Sequence, residues 1–178
     1  MAEWQKFVVF LRGINVSGKN IIKMEELKKQ LSAAGFSEVL TYIQSGNIVF
    51  NSLYNKEETE RKVSELIKER FQLDIPVFVL SSEDLTQALA NNPFSADSEP
   101  SKLFFTFLKG ELSSELLEKL RQQDHGEGVF HLEGNVLYFY LPEGMARSIM
   151  NNNYFEKKLK ITATGRNLNT VNKMMSMI

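Results

Sequence analysis

Apolar positions along the chain switch repeatedly between a continuous or alternating pattern and a 3.6-residue period. Phe7–Leu11 is an unbroken run of aromatic and β-branched residues ending at the breaker Gly13, which predicts a central strand. Met24, Leu27, Leu31 and Ala34 follow at helical spacing, with Gly35 placed to end the helix in a left-handed cap. Val39–Ile43 and Ile48–Phe50 predict two strands around Gln44-Ser45-Gly46-Asn47, whose Gly and Asn tolerate the positive φ of a tight hairpin. Val63, Leu66, Ile67 and Phe71 mark a second amphipathic helix. Ile75–Leu80 then predicts a fourth strand, with Pro76 tolerable near its start or on an edge.

The order through Leu80 is βαββαβ, the split arrangement of the ferredoxin-like fold. The remainder repeats it. Ser82 is placed to cap a helix from Glu83 to about Ala90, and residues 92–100 are turn-rich. Leu103–Leu108 predicts a strand, Ser114 to about Gln122 a helix, and Val129–Leu132 with Val136–Tyr140 a hairpin. The turn Glu133-Gly134-Asn135 echoes Gly46-Asn47. Tyr154, Phe155 and Leu159 predict a helix, Ile161–Thr164 a short strand, and Val171, Met174, Met175 and Ile178 a closing amphipathic helix. The expected architecture is therefore α+β: tandem ferredoxin-like halves with mainly antiparallel sheets plus a C-terminal helix. The halves are expected at 1–81 and 102–178, with 82–101 as a connecting helix and linker.

Composition narrows the function classes. The chain has 178 residues with 43% hydrophobic and 24% charged, ordinary globular usage that argues for a packed core. With 21 basic against 22 acidic side chains, the net charge of -1 gives no broad field for nucleic acid or an anionic membrane. Absence of cysteine removes disulfides and thiol chemistry and fits a reducing compartment. The first residues lack a basic-then-apolar leader and no long apolar run follows, so a cytoplasmic protein is expected.

The densest candidate chemistry is Arg12-Gly13-Ile14-Asn15-Val16-Ser17-Gly18-Lys19-Asn20, between a strand and a helix. Gly13–Lys19 matches the G-x-x-x-x-G-K part of a phosphate-binding loop. Asn20, however, replaces the hydroxyl residue that would hold magnesium, and an antiparallel sheet is the wrong scaffold for a nucleotide hydrolase. Anion binding without metal survives that objection. In a βαββαβ unit the first crossover loop and first hairpin turn share one sheet edge. Arg12, Gly13, Asn15, Gly18, Lys19 and Asn20 should therefore lie near Thr41, Gln44, Ser45 and Asn47. The competing explanation is that Gly, Asn and Ser simply favour turns.

Leu11–Asn20 and Thr41–Phe50 resemble the two signature stretches of a mainly bacterial family, domain of unknown function sixteen-ninety-seven. The likeness continues at Gly144, Arg147, Ser148, Glu156–Leu159, Thr164, Arg166, Asn167, Asn169, Thr170 and Val171. Ser17, Ile149, Gly165 and Leu168 depart from the family's usual residues. The resemblance implies a cytoplasmic α+β fold with no assigned activity or cofactor.

A second basic cluster joins Arg147-Ser148 to Thr164–Thr170 and offers the guanidinium groups of Arg147 and Arg166 to a carboxylate or phosphate. The alternative is local: Asn167 or Asn169 caps the last helix and Arg166 covers surface with its stem. Whether this cluster joins the N-terminal loops is left open. His125 and His131 have no neighbour at metal spacing, so surface roles and no metal site are expected. Ser45 and Ser148 lack a base, and Glu156 in its Glu-Lys-Lys setting reads as a solvated helix face or a general acid–base. No cofactor is identifiable.

Two function classes follow. One is a binder or enzyme holding a small anionic ligand at Arg12, Lys19 and the Gln44–Asn47 turn. The other is a protein-interaction or homodimerisation module using sheet edges and exposed Tyr138 and Tyr140. Monomer and homodimer are both compatible with the sequence. RNA binding is disfavoured, because neither Phe7–Arg12 nor Ile48–Ser52 carries the aromatic-rich RRM pattern.

Overall fold

The computed structural model describes residues 2–178. It divides into two compact units: one takes the chain up to Gln87 together with Lys173–Ile178, the other is Ala88–Asn172.

The first unit contains β1 (Gln5–Leu11), α1 (Met24–Ala33), β2 (Ser37–Tyr42), β3 (Asn47–Ser52), α2 (Lys56–Phe71) and β4 (Val77–Ser81). Its strands form one antiparallel sheet in the order β2-β3-β1-β4, the split βαβ arrangement expected from the alternating periods. β1 lies centrally, and Phe7–Leu11 is buried throughout, which explains its unbroken apolar run. Phe7, Val9 and Leu11 pack with Ile48, Phe50, Val77 and Val79 against Leu27, Leu31, Val63 and Ile67 of the two helices. Each fully buried side chain of this size contributes roughly 1.5–3 kcal/mol of burial free energy.

Local chemistry sets the boundaries. Helix α1 stops where Gly35 takes φ +98°. Asn55 caps α2 by accepting from the Glu58 N–H at 2.9 Å. Pro76 sits just before β4, an edge strand bonded only to β1, so its missing N–H costs no ladder bond.

The helix after β4, α3 (Ser82–Ala90), is capped by Ser81 and not by the expected Ser82. Ser81 Oγ accepts from the Asp84 N–H at 3.0 Å while Asp84 Oδ2 accepts from the Ser81 N–H at 2.8 Å, a reciprocal capping box. Burial alone would raise the Asp84 pKa. Hydrogen bonds from Lys56 Nζ at 2.5 Å and from Ser81 outweigh that and hold it below the ordinary aspartate value.

The second unit carries β5 (Leu103–Lys109), α4 (Ser114–Arg121), β6 (Val129–Glu133), β7 (Val136–Tyr140), α5 (Asn152–Leu159) and β8 (Thr162–Asn167); the closing helix α6 (Leu168–Ser176) starts in it and is counted with the first unit from Lys173 on. The strand order β6-β7-β5-β8 repeats that of the first unit position for position. Leu108, Leu137, Phe139 and Ala163 pack on Leu120, Phe155 and Leu159. The equivalence also corrects one expectation. Phe10 pairs with Asn47 where Phe107 pairs with Val136, so Gly46 corresponds to Asn135, and the two Gly-Asn turns are offset by one residue.

Tyr138, expected at an exposed contact, is fully buried. Its hydroxyl donates to the Ala88 carbonyl at 2.6 Å, one of the acceptors left over at the end of α3. Burial, assisted by Glu133, pushes the phenol pKa up to about 12. Tyr140 is half-buried, 5.9 Å from the Phe94 ring.

Candidate functional site

The site is built at the end of the first sheet where β1 leaves and β2 turns back. The crossover from β1 to α1 uses residues 12–23, whereas the equivalent crossover from β5 to α4 uses only residues 110–113. The topology therefore does not require the longer loop. Five of its residues take left-handed backbone: Gly13, Asn15, Ser17, Gly18 and Asn20, with φ between 49° and 72°. Gly and Asn adopt this region most readily, which is why the segment is so rich in them.

Within the loop, residues 15–20 form a miniature hairpin. The Asn15 N–H donates to the Asn20 carbonyl at 3.1 Å and the Lys19 N–H to the Val16 carbonyl at 2.9 Å. Ser17 and Gly18, both left-handed, form its tip in the pattern of a type I′ turn. This geometry overturns the phosphate-loop resemblance. A P-loop aims successive N–H groups at the phosphates and enters its helix directly after the Lys. Here the Asn15 and Lys19 N–H groups close the hairpin, and α1 begins only at Met24.

Asn15 joins the loop to the hairpin turn. Its Nδ2 donates to the Gln44 carbonyl at 2.7 Å and the Ile22 carbonyl at 2.9 Å, and its Oδ1 accepts from the Ile22 N–H at 2.8 Å. Alongside, the Leu11 N–H donates to the Gly46 carbonyl at 2.9 Å. A β-carbon on Gly46 would sit 2.7 Å from Leu11 Cβ and 3.0 Å from Ile14 Cδ1, so the turn lies directly against buried Ile14. The expected meeting of crossover loop and hairpin turn is thus present.

Several predicted ligand groups instead hold the framework. Asn20 Nδ2 donates to the Gly13 carbonyl at 2.9 Å. Asn47 is fully buried and donates to the Tyr42 carbonyl at 3.1 Å and to Ser45 Oγ at 2.9 Å. Arg12 is half-buried, its N–H bonded to the Pro76 carbonyl at 3.0 Å, while Lys19 and Gln44 are exposed. Composition did not single out Val16, Ile21 and Ile43, which lie on these loops at 56%, 62% and 52% exposure. Ile43 also has φ +50°, a costly conformation for a β-branched residue. Three bare aliphatics among turn formers were the legible signal.

The second basic cluster belongs to the other unit. β7 and β8 both pair antiparallel with β5, so the segments after Tyr140 and at Asn167 share one end of that sheet. Arg147 is exposed and 4.0 Å from Glu143. Arg166 Nη1 turns back on its own strand, donating to Thr164 Oγ1 at 2.8 Å and the Gly165 carbonyl at 2.9 Å. Desolvation of that guanidinium pulls its pKa down to about 10. Asn167 caps α6 by accepting from the Thr170 N–H at 3.0 Å, as the local alternative expects.

Glu156 is half-buried, not a fully solvated helix-face residue. Its carboxylate accepts from Asn152 Nδ2 at 3.1 Å and the Ala163 N–H at 3.2 Å, tying α5 to β8. His125 lies 2.9 Å from the Tyr154 hydroxyl and edge-on to Phe130, a partly buried packing role instead of a surface one. Among the described residues no group of three or more His, Asp or Glu side chains is arranged to hold a metal, and no helix is long and apolar enough to cross a membrane. A groove of about 250 Å³ runs between α1 and α2, lined by Lys62, Arg70, Glu65 and Glu69 over Phe36. It contains none of the predicted site residues.

Fold and site together define a protein of two βαββαβ units in which one unit alone carries a long crossover loop closed by its own hydrogen bonds. Residues 4–138 match the family described as protein of unknown function (DUF1697), and the chain belongs to it. That match takes in both signature stretches and ends before the Arg147 and Arg166 cluster. Among solved structures, the conserved bacterial protein SP0830 from Streptococcus pneumoniae is similar in fold, with a TM-score of 0.74 at 22% identity over 98% of this chain and 99% of that one. No curated protein matches the chain.

Proposed function

We propose that the first unit binds a small ligand bearing a phosphate or carboxylate at the junction of the crossover loop and the β2–β3 turn. The observation that carries this reading is the crossover of residues 12–23. It is longer than its counterpart at 110–113 in an otherwise repeated topology, yet it is tied down by side-chain hydrogen bonds from Asn15 and Asn20. Ordered structure beyond what a fold requires is where binding residues concentrate. Arg12 and Lys19 supply positive charge, Gln44 an amide donor, and Val16, Ile21 and Ile43 an apolar border for the body of the ligand. Asn15, Asn20, Ser45 and Asn47 hold the shape; Gly13 and Gly18 permit it.

Thermal shift with inorganic phosphate, nucleotides, sugar phosphates and carboxylate metabolites tests the reading. A ligand at a hundred times its Kd adds about 2.7 kcal/mol, equivalent to roughly 5–10 °C in a chain of this size. An unmoved melting temperature across the panel, or an equal shift in the Arg12→Ala, Lys19→Ala double variant, refutes it.

A second reading is favoured by the same three aliphatics: a contact surface for another protein or a second copy. Light scattering across a concentration series separates the two. A dimer dissociated by Ile43→Asp supports the contact, and a strict monomer with ligand shifts supports the anion site.

A further inference from the structure

We infer that the second unit holds one structural water between β5, β8 and α5, in a space kept open by Gly165. Two buried polar atoms converge there without a hydrogen-bond partner, Thr106 Oγ1 and Asn152 Oδ1. Gly165 pairs directly with Thr106 across the β5–β8 ladder. A β-carbon at position 165 would lie 3.2 Å from Thr106 Oγ1 and 3.8 Å from Asn152 Oδ1. Both oxygens therefore border the space beside the Gly165 Cα, and the water sits offset from the β-carbon position toward Asn152, where it reaches both.

The orientation of Asn152 is fixed by its other end. Nδ2 donates to Glu156 Oε1 at 3.1 Å and to the Ala163 carbonyl at 2.8 Å, and turning the amide over would set its oxygen against two acceptors. Oδ1 must consequently face Thr106 and Gly165 as an acceptor. The Thr106 hydroxyl, on a fully buried residue, can donate and accept. A water accepting from Thr106 and donating to Asn152 satisfies both, which meets the requirement of at least two polar partners for a buried water. A carboxylate or phosphate does not fit, because Asn152 offers only an acceptor. The water completes a joint in which Asn152 and Glu156 fasten α5 to β8, an edge strand whose ladder bonds all go to β5.

Gly165 lies in ordinary extended backbone, where alanine is normally the better residue, so its substitution reports on the space and not on strain. In the full chain, Gly165→Ala should displace the water, strand both polar atoms and lower the melting temperature by roughly 2–10 °C. Gly165→Ser, whose hydroxyl takes the water's place, should recover most of that loss. Thr106→Val should shrink the alanine penalty. A crystal structure of the unmodified protein should show one solvent peak within hydrogen-bond distance of Thr106 Oγ1 and Asn152 Oδ1. Gly165→Ala melting at or above the parent temperature overturns the inference. So does a structure with no solvent peak between the two atoms.

Discussion

Replacing Asn15 by alanine tests the joint on which the candidate site stands. The side chain makes three hydrogen bonds of 2.7–2.9 Å, two to Ile22 and one to the Gln44 carbonyl. At about 0.5–1.5 kcal/mol net each, their loss costs about 1.5–4.5 kcal/mol, reduced to the extent that water reaches the partly exposed end facing Gln44. Asn15 also sits at φ +53°, where alanine adds about 1 kcal/mol of strain and glycine adds none. Urea unfolding should therefore place Asn15→Ala about 2–4 kcal/mol below the parent, with Asn15→Gly losing about 1 kcal/mol less. Hydrogen exchange gives the local signature: the Ile22 amide, bonded to Asn15 Oδ1, should lose protection in both variants. A loss below about 0.5 kcal/mol with Ile22 still protected would refute the idea that this residue holds the two loops together.

Gly46→Ala forces a β-carbon to 2.7 Å from Leu11 at φ +79° and should cost more than about 3 kcal/mol in the same urea assay. Tyr138→Phe strands the Ala88 carbonyl and should lose about 1–3 kcal/mol; a neutral result would mean that the hydroxyl contributes nothing to the end of α3. Burial holds the His125 pKa below its ordinary 6.5, a drop that Lys158 reinforces and Asp124 opposes. The unfolded chain therefore binds this proton more readily than the fold does. Stability should be full above about pH 6.5 and decline as pH falls toward the folded pKa, a decline absent in His125→Phe when melting temperatures are compared across that window.

Most of the fold is legible in the amino-acid sequence. Phe7–Leu11, the helical spacing of Met24, Leu27 and Leu31, and the repeated βαββαβ order appear in the structure as β1, α1 and two sheets of identical strand order. These signals are strong because burial acts on every residue of an element, leaving a period of 2 or 3.6 in the chain itself. Chain direction alone placed the crossover loop beside the hairpin turn, since a βαββαβ path leaves no other edge for them.

Which polar atoms face one another was decided only by tertiary structure. Asn15, Asn20 and Asn47 read as ligand donors because a turn-rich segment does not reveal where its amides point, and the fold spends them on carbonyls up to 29 residues away in sequence. Glu156 looked solvated for the same reason, until β8 brought the Ala163 N–H to its carboxylate. The offset of the two Gly-Asn turns and the burial of Tyr138 depend on strand register and on the end of α3, neither of which leaves a periodic trace. Hydrophobic burial is non-directional and sums over whole elements, so the chain displays it openly. A hydrogen bond is directional and needs one partner at one distance, and that partner becomes known only when the chain has folded.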